Sequence, residues 1–445
     1  MHRSSLYSSL IHPRSRRQYV LKRQPRIFYG WWLVGIAIIS SFSAMSLGQA
    51  IPGVFMEPIT DELGWPIAQF YAGISCGTIA GGIMAVIVGP LVDRHGPRKL
   101  MILGAICCSL GMFALSNLST LWQFVLFQVF CSGLGWTFFS PLVVNTTVNK
   151  WFVTKRGWAL AIGSAGISMA GIITPKAMTL VVDNFTWRTG FETLSVAVLL
   201  IIIPAALLTR SRPENYGLLP DGVDPNDTSE SLSQTRAAIT ADEQQSYTRH
   251  QAIRSKAFWL LIIGFGLNGA ALTSVLLHAI PFATASGFTR AIAAWGVSIN
   301  GLGNLSSKAV WGWGLQKIHG RILVAVAFSI SSTGVLTLMI AAELTSLPLL
   351  FLGFYLYGFG FGGSVPLSEF LFARYFGRKN IGAIRGIGVP VSLICSAGAP
   401  ILTGVWFDFV GNYTGAFAGI IALYIAGAVV INMSKEPPPI FVSTS

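Results

Sequence analysis

The sequence predicts an all-α membrane protein: twelve transmembrane helices in two pseudo-symmetric six-helix bundles. Three observations carry this expectation. Only 11% of the 445 residues are charged, 53% are hydrophobic and mean hydropathy is +0.63, whereas a soluble chain carries roughly a quarter charged residues. Apolar runs of spanning length recur along the chain, six before one long polar gap and six after it. Landmarks of the first half return in the second at a nearly constant offset. Soluble enzyme, disordered chain and disulfide scaffold are thereby excluded.

A spanning helix needs about 20 apolar residues at about 1.5 Å each. Such runs fall near 31–55, 67–91, 99–117, 121–148, 158–182 and 189–208, then near 258–284, 291–314, 322–342, 347–372, 382–406 and 413–433. The gap at 209–257 holds seven acids and six Lys/Arg among Ser, Thr, Asn, Gln and Pro, and reads as a cytoplasmic linker. The expected organisation is a basic cytoplasmic tail (1–30), a first bundle (31–208), the linker (209–257), a second bundle (258–433) and a cytoplasmic tail (434–445).

The net charge of +13 would suit nucleic acid if it formed a basic domain, but it is spread over alternate gaps. Seven basic residues (Arg3, Arg14, Arg16, Arg17, Lys22, Arg23 and Arg26) precede the first run, and no acid lies among them. An even number of spans puts both termini on one side. With that side inside, 26 of the 30 Lys and Arg are inner, Arg188 and Arg290 are outer, and Lys176 and Lys308 lie within runs. This is the positive-inside pattern. It leads us to expect a multi-pass protein of a plasma or bacterial inner membrane, with the bilayer as partner, no nucleic acid, and a monomer. The five cysteines (Cys76, Cys107, Cys108, Cys131 and Cys395) all lie in apolar runs without C-x-x-C or metal spacing, so no metal or cofactor is expected. The basic N-terminal stretch enters the first run without a small-residue cleavage site, which reads as a retained span.

The halves repeat. Asn149-Lys150-Trp151-Phe152 matches Ala373-Arg374-Tyr375-Phe376 at an offset of 224, and Pro175 matches Pro400 at 225. Gly163 matches Gly388, and Gly89 to Arg98 overlays Gly312 to Arg321. Two homologous bundles imply a substrate site between them, near the bilayer midplane.

The segment Gly89-Pro-Leu-Val-Asp93-Arg94-His-Gly96-Pro-Arg98-Lys99 resembles the signature loop of the major facilitator superfamily. Its second copy has Gln316-Lys317 in place of Asp93-Arg94, so the acid is missing there. Other pieces are similar to the monocarboxylate transporter and oxalate–formate antiporter group within that superfamily. They are Tyr29-Gly30-Trp31-Trp32, Lys150-Trp151-Phe152 with Arg156-Gly157, Trp187-Arg188, Arg212-Pro213-Glu214 with Pro220-Asp221-Gly222, and Tyr375-Phe376-Gly377-Arg378 with Gly382-Ala383-Ile384-Arg385-Gly386. The resemblance implies a secondary transporter, not an enzyme, moving a small organic anion by alternating access, as a proton-coupled carrier or an exchanger. It also implies a gate built on Asp93, Arg94 and Arg98, with Gly89 and Gly96 shaping the turn. Removing the Asp93 charge is expected to loosen that gate and spare substrate binding.

Lys308 is the most informative residue. The related carboxylate transporters carry an arginine at the matching position of the eighth span, four residues before a Gly, and Lys308-x3-Gly312-x3-Gln316 keeps the spacing and the charge. Eight residues from the inner interface is about 12 Å, deep for a snorkelling side chain. A buried ammonium there marks a substrate path. The sequence departs from the group at Asn304, where those carriers often have an aspartate, and near Gln49, where the first span lacks the expected lysine. Lysine also loses the planar fork that grips a carboxylate in two places.

The superfamily places pocket walls on spans one, four, seven and ten, whose midway polar or aromatic residues are Gln49, Trp136, Asn268, Tyr355 and Tyr357. His278 is the proton-coupling candidate, set against the plainer reading of a hydrogen-bonded packing histidine. Glu369 reads as the acid of a gate ion pair with a neighbouring Arg or Lys. No Walker loop is present, and the six scattered histidines assemble no enzyme site. The alternatives are a carrier of a neutral or drug-like solute and a non-transporting nutrient sensor on the same fold.

Overall fold

The computed structural model of the chain describes residues 28–223 and 230–439; the side chains of 49–53, 230–232 and 234 lie outside that description. Most of the basic tail and the end of the C-terminal tail also lie outside it. The described residues contain no strand. They form twelve long helices: α1 (Gly30–Gly48), α2 (Ile67–His95), α3 (Pro97–Ser116), α4 (Leu121–Trp151), α5 (Arg156–Asn184), α6 (Trp187–Leu208), α7 (Lys256–Ala285), α8 (Arg290–Lys317), α9 (Gly320–Leu344), α10 (Leu347–Phe376), α11 (Ile381–Val410) and α12 (Thr414–Met433).

Eleven of these are long and apolar enough to cross a membrane. The remaining one, α8, spans 28 residues but carries Asn300, Asn304, Ser306, Ser307 and Lys308 midway. Its buried positions Asn300, Asn304, Lys308 and Trp311 recur every three or four residues, so the polar groups form one stripe. Val297, Leu302, Val310 and Trp313 are exposed on its other sides. The helix is turned inside out relative to a helix of a soluble protein.

Helix starts follow the sequence. Thr186, Ser255 and Thr289 each accept a backbone N–H of the first turn of α6, α7 and α8, satisfying a donor that the helix leaves free. Pro97 opens α3 directly after Gly96, whose φ of 78° ends α2. The first run is longer than expected, because α1 passes through a π-turn at Ser46–Ala50 into a further helix, Ile51–Leu63.

Two spans break at matching prolines. In α4, a π-turn (Cys131–Gly135) and a 3-10 turn (Trp136–Phe139) precede Pro141. In α10 the helix stops at Phe361 and restarts at Ser364, two residues before Pro366. The prolines sit at the repeat offset of 225. A proline lacks the N–H that closes the preceding turn, so both helices open there.

Each half has its own apolar core, one running from Leu33 to Ala206 and the other from Tyr247 to Ile431. They meet along two seams, α2 against α11 and α5 against α8. The α2–α11 approach is closest at Gly89, where a Cβ would overlap the Gly382 carbonyl. On the other seam Gly312 lies against Trp158 and Ala161. Among the described residues, every hydrogen bond or ion pair between the two bundles lies between the Ser168–Asn304 contact and the end where Arg94, Lys150, Lys317 and Arg378 gather. The bundles are therefore joined at that basic end. The linker adds the helix Glu230–Gln244 across it, and a short helix, Arg249–Arg254, leads into α7.

Candidate functional site

The midway site grows from the polar stripe of α8. Lys308 is 7% exposed, and its Nζ donates to the Gly362 carbonyl at 2.8 Å, in the gap of α10. None of the ion pairs among the described residues includes Lys308. Among the described residues its amine has a hydrogen bond and no acidic partner. Nine residues separate it from Lys317, which is about 13 Å along the helix. One turn farther from the basic end, Asn304 Oδ1 accepts from Ser168 Oγ of α5, joining the halves beside Lys308. Asn268 of α7 is buried and accepts from Ser364 Oγ at 3.2 Å, just past the break of α10. Lys308, Asn304 and Asn268 thus gather around one feature, the α10 break.

Of the other midway candidates, Tyr357, Tyr355, Trp136 and His278 have partners elsewhere. Tyr357 is fully buried in the second core, where its hydroxyl donates to the Leu272 carbonyl at 3.2 Å and accepts from Tyr424 at 3.3 Å. Tyr355 is exposed, with its hydroxyl 3.2 Å from Ser306 Oγ. Two residues apart on a helix is about 200° of turn, so these rings face opposite ways. Trp136 is half-buried against the first core at the α4 break. Gln49 lies in the π-turn of α1, and its side chain is outside the described residues. His278 is engaged at both nitrogens, Nδ1 with the Tyr413 hydroxyl at 3.3 Å and Nε2 with the Pro400 carbonyl at 3.1 Å. Its ring also packs on Tyr413, the setting of a packing histidine.

At the basic end, Asp93 pairs with Lys150 at 2.6 Å and accepts the Ala383 N–H at 2.8 Å. One carboxylate therefore ties α2 to α4 in its own half and to α11 in the other. Arg94 and Arg98 are exposed, and no ion pair includes them among the described residues. The cationic partners are instead Lys150, Arg156 and Arg378. Arg378 is the hub: it reaches Glu214 at 2.6 Å, Glu243 at 3.3 Å and Asp242 at 3.4 Å, and donates to the Lys150 carbonyl at 2.9 Å. Arg156 takes the other side of Asp242 at 2.8 Å. Burial works against the Arg378 charge, but the carboxylates of Glu214 and Asp242 outweigh it and hold the guanidinium above its ordinary range. Burial pushes the Glu243 carboxyl up, and the neighbouring Glu214 and Asp242 add to that, against the pull of Arg378.

Asp221 accepts the N–H groups of Val153, Thr154 and Lys155 at 2.8–3.2 Å, capping the turn that starts α5. Glu369 pairs with Arg385 of α11 at 2.8 Å, while Arg374 turns to Glu436. A cleft of about 430 Å³ lined by Trp31, Thr154, Lys155, Trp158 and Gln316 lies near the basic end; it includes none of the midway polar residues.

Most basic-end residues stood inside motifs already quoted, such as Lys150-Trp151-Phe152, Pro220-Asp221-Gly222 and Tyr375 to Arg378. Their partners, Asp242 and Glu243, had no local signal, because only folding brings the linker helix against both halves.

The sequence pattern of the Major Facilitator Superfamily matches residues 35–397. Human Monocarboxylate transporter 2 is 24% identical over 90% of this chain and 84% of its own length. The Probable L-galactonate transporter of Escherichia coli strain K12 is 25% identical over 83% of this chain and 80% of its own. Among solved structures, the proton:xylose symporter XylE bound to 6-bromo-6-deoxy-D-glucose superposes with a TM-score of 0.71 at 13% identity, covering 92% of this chain and 96% of that one. The chain belongs to the major facilitator superfamily and is a multi-pass transporter.

Proposed function

We propose that the protein moves a small, monocarboxylate-like organic anion by alternating access of its two bundles around the α8–α10 site. The observation that carries this reading is Lys308, a buried midway cation with no counter-ion among the described residues. An ammonium at that depth is costly without an anion or water to compensate it. Two of the relatives are named for carboxylates. Lys308 holds the charge, and Asn304 and Asn268 orient the substrate by hydrogen bonds. Transport runs on a proton gradient or on exchange, with His278 the proton-coupling candidate for the former.

The test is thermal stabilisation of the purified protein by mono- and dicarboxylates and by neutral sugars at two pH values. A ligand at a hundred times its dissociation constant adds about 2.7 kcal/mol. We expect carboxylates to stabilise and neutral solutes to fail. Stabilisation by neutral solutes alone contradicts the reading. That second reading, a neutral-solute carrier, is favoured by one fact: Gly362 already satisfies part of the Lys308 hydrogen-bonding capacity.

The charge asymmetry supports a cytoplasmic basic end, with the linker and both termini on that side. In this orientation the structure is sealed toward the cytoplasm. With the native cysteines replaced, a cysteine at Ala241 of the linker helix should resist impermeant reagent in intact cells, while one at Ser119 should react. Ready labelling at 241 reverses the orientation.

A further inference from the structure

The break in α10 leaves one carbonyl with a particular need. Gly362 would normally receive the N–H of the residue four positions on, and that residue is Pro366, which has none. The neighbouring carbonyl does not share the problem, since Leu367 N–H donates to Gly363 at 2.9 Å. The donor that reaches Gly362 comes from another helix: Lys308 Nζ, at 2.8 Å.

The first half solves the same problem locally. There the matching carbonyl is Thr137, the matching proline is Pro141, and the Ser140 hydroxyl donates to Thr137 at 2.9 Å. The second half has Val365 where the first has Ser140, a side chain that cannot donate. Where the first half has a short-range cap, the second half has the Lys308 ammonium of α8.

We propose that Lys308 is the removable cap of the α10 break, so that substrate charge and the Gly362 carbonyl compete for the position of one ammonium. The proposal deepens the anion reading and rests on it. Without substrate, Lys308 holds Gly362 and fixes the angle between the two segments of α10. An arriving carboxylate is the stronger acceptor, because its bond to the ammonium is between two charges. Drawing Nζ away leaves the Gly362 carbonyl without its donor in a buried setting, and the break becomes free to bend. The segment after the break holds Ser364, bonded to Asn268, and Glu369, paired with Arg385 of α11. A bend there is carried to α7 and α11 by those two contacts. Binding is converted into motion at a defined residue.

The test is a double-variant cycle read by hydrogen exchange on the full-length protein in lipid nanodiscs, following amides of 359–370. Without ligand, Lys308→Met should raise exchange at this segment by about tenfold, the scale of one lost hydrogen bond to a charged group. Pro366→Ala gives Gly362 a backbone donor, so adding it to Lys308→Met should restore wild-type exchange. Unchanged exchange in Lys308→Met, or no rescue by Pro366→Ala, overturns the proposal.

Pro366→Ala alone, which keeps the lysine, should bind carboxylate at least as tightly as wild type and turn over several-fold more slowly. Unchanged turnover contradicts the proposal even if Lys308→Met fails to fold. With pyruvate and gluconate as short and long probes, whichever stabilises the wild type should also raise its hinge exchange and should leave that of Pro366→Ala unmoved. A stabilising carboxylate that leaves the wild-type hinge unmoved overturns the coupling but not the anion reading. If Lys308→Gln binds carboxylate normally, the anion reading falls and takes the coupling with it; the ligand-free cycle still decides whether Lys308 caps the break.

Discussion

Lys308→Ala should abolish saturable carboxylate uptake into proteoliposomes, with at least a hundredfold loss of rate at low substrate. Among the described residues Lys308 is the midway cation without an acidic partner, and removing it leaves an anion to be desolvated against neutral groups, which costs several kcal/mol. The substitution also takes the donor from the Gly362 carbonyl, so its effect is read against Lys308→Gln, which removes the charge and keeps a donor. Lys308→Arg should keep partial activity with altered affinity: the charge survives, but the planar guanidinium replaces a compact ammonium. Lys308→Gln retains a donor for Gly362 while removing charge, so it separates the two roles. Full carboxylate uptake in the Ala variant would show that the Lys308 charge does not hold the substrate.

The second large effect belongs to Arg378. Arg378→Ala takes the cation from Glu214 and Glu243, leaves Asp242 with Arg156 alone, and removes the bond to the Lys150 carbonyl. Glu214 and Glu243 are more than a third exposed and Asp242 keeps Arg156, so the loss is on the scale of one hydrogen bond to a charged group, about 1.5–3 kcal/mol, and falls on the conformer sealed at that end. A cysteine at Ala161, buried in the α5–α8 seam, should become reactive from the basic side about tenfold faster than in the wild type. Asp93→Asn should act in the same direction, since it leaves Lys150 buried without its carboxylate. Both variants should keep carboxylate affinity while losing transport. An unchanged Ala161 cysteine in both would show that these pairs do not hold the basic end shut.

The fold was legible because its signals are local and repeated. Spanning length, the single polar gap and the offset of about 224 residues are properties of stretches, and each stretch folds as the helix its hydropathy demands. Lys308 was legible for the same reason, as one charge in an apolar run. What the sequence hid was partnership. Glu369 and Arg374 are five residues apart, about 140° around a helix, so they cannot face one another, and the partner came from α11 as Arg385. Arg94 and Arg98 share a loop with Asp93, yet they point to the exterior while Asp93 turns inward to Lys150 and the Ala383 N–H. The aromatic residues of α10 read as one wall because the run is apolar on every side, which gives no face to choose between Tyr355 and Tyr357. Pro366 was visible in the sequence, but its consequence needed the third dimension: a carbonyl without a donor and a lysine from another helix above it.

The most direct measurement is a binding titration of purified wild type and Lys308→Gln side by side, using the carboxylate that best stabilises the wild type. A site built around the Lys308 charge predicts saturable binding in the wild type and at least a hundredfold weaker binding in Lys308→Gln, with the folded fraction of the two unchanged. Equal affinity in the two proteins would contradict it.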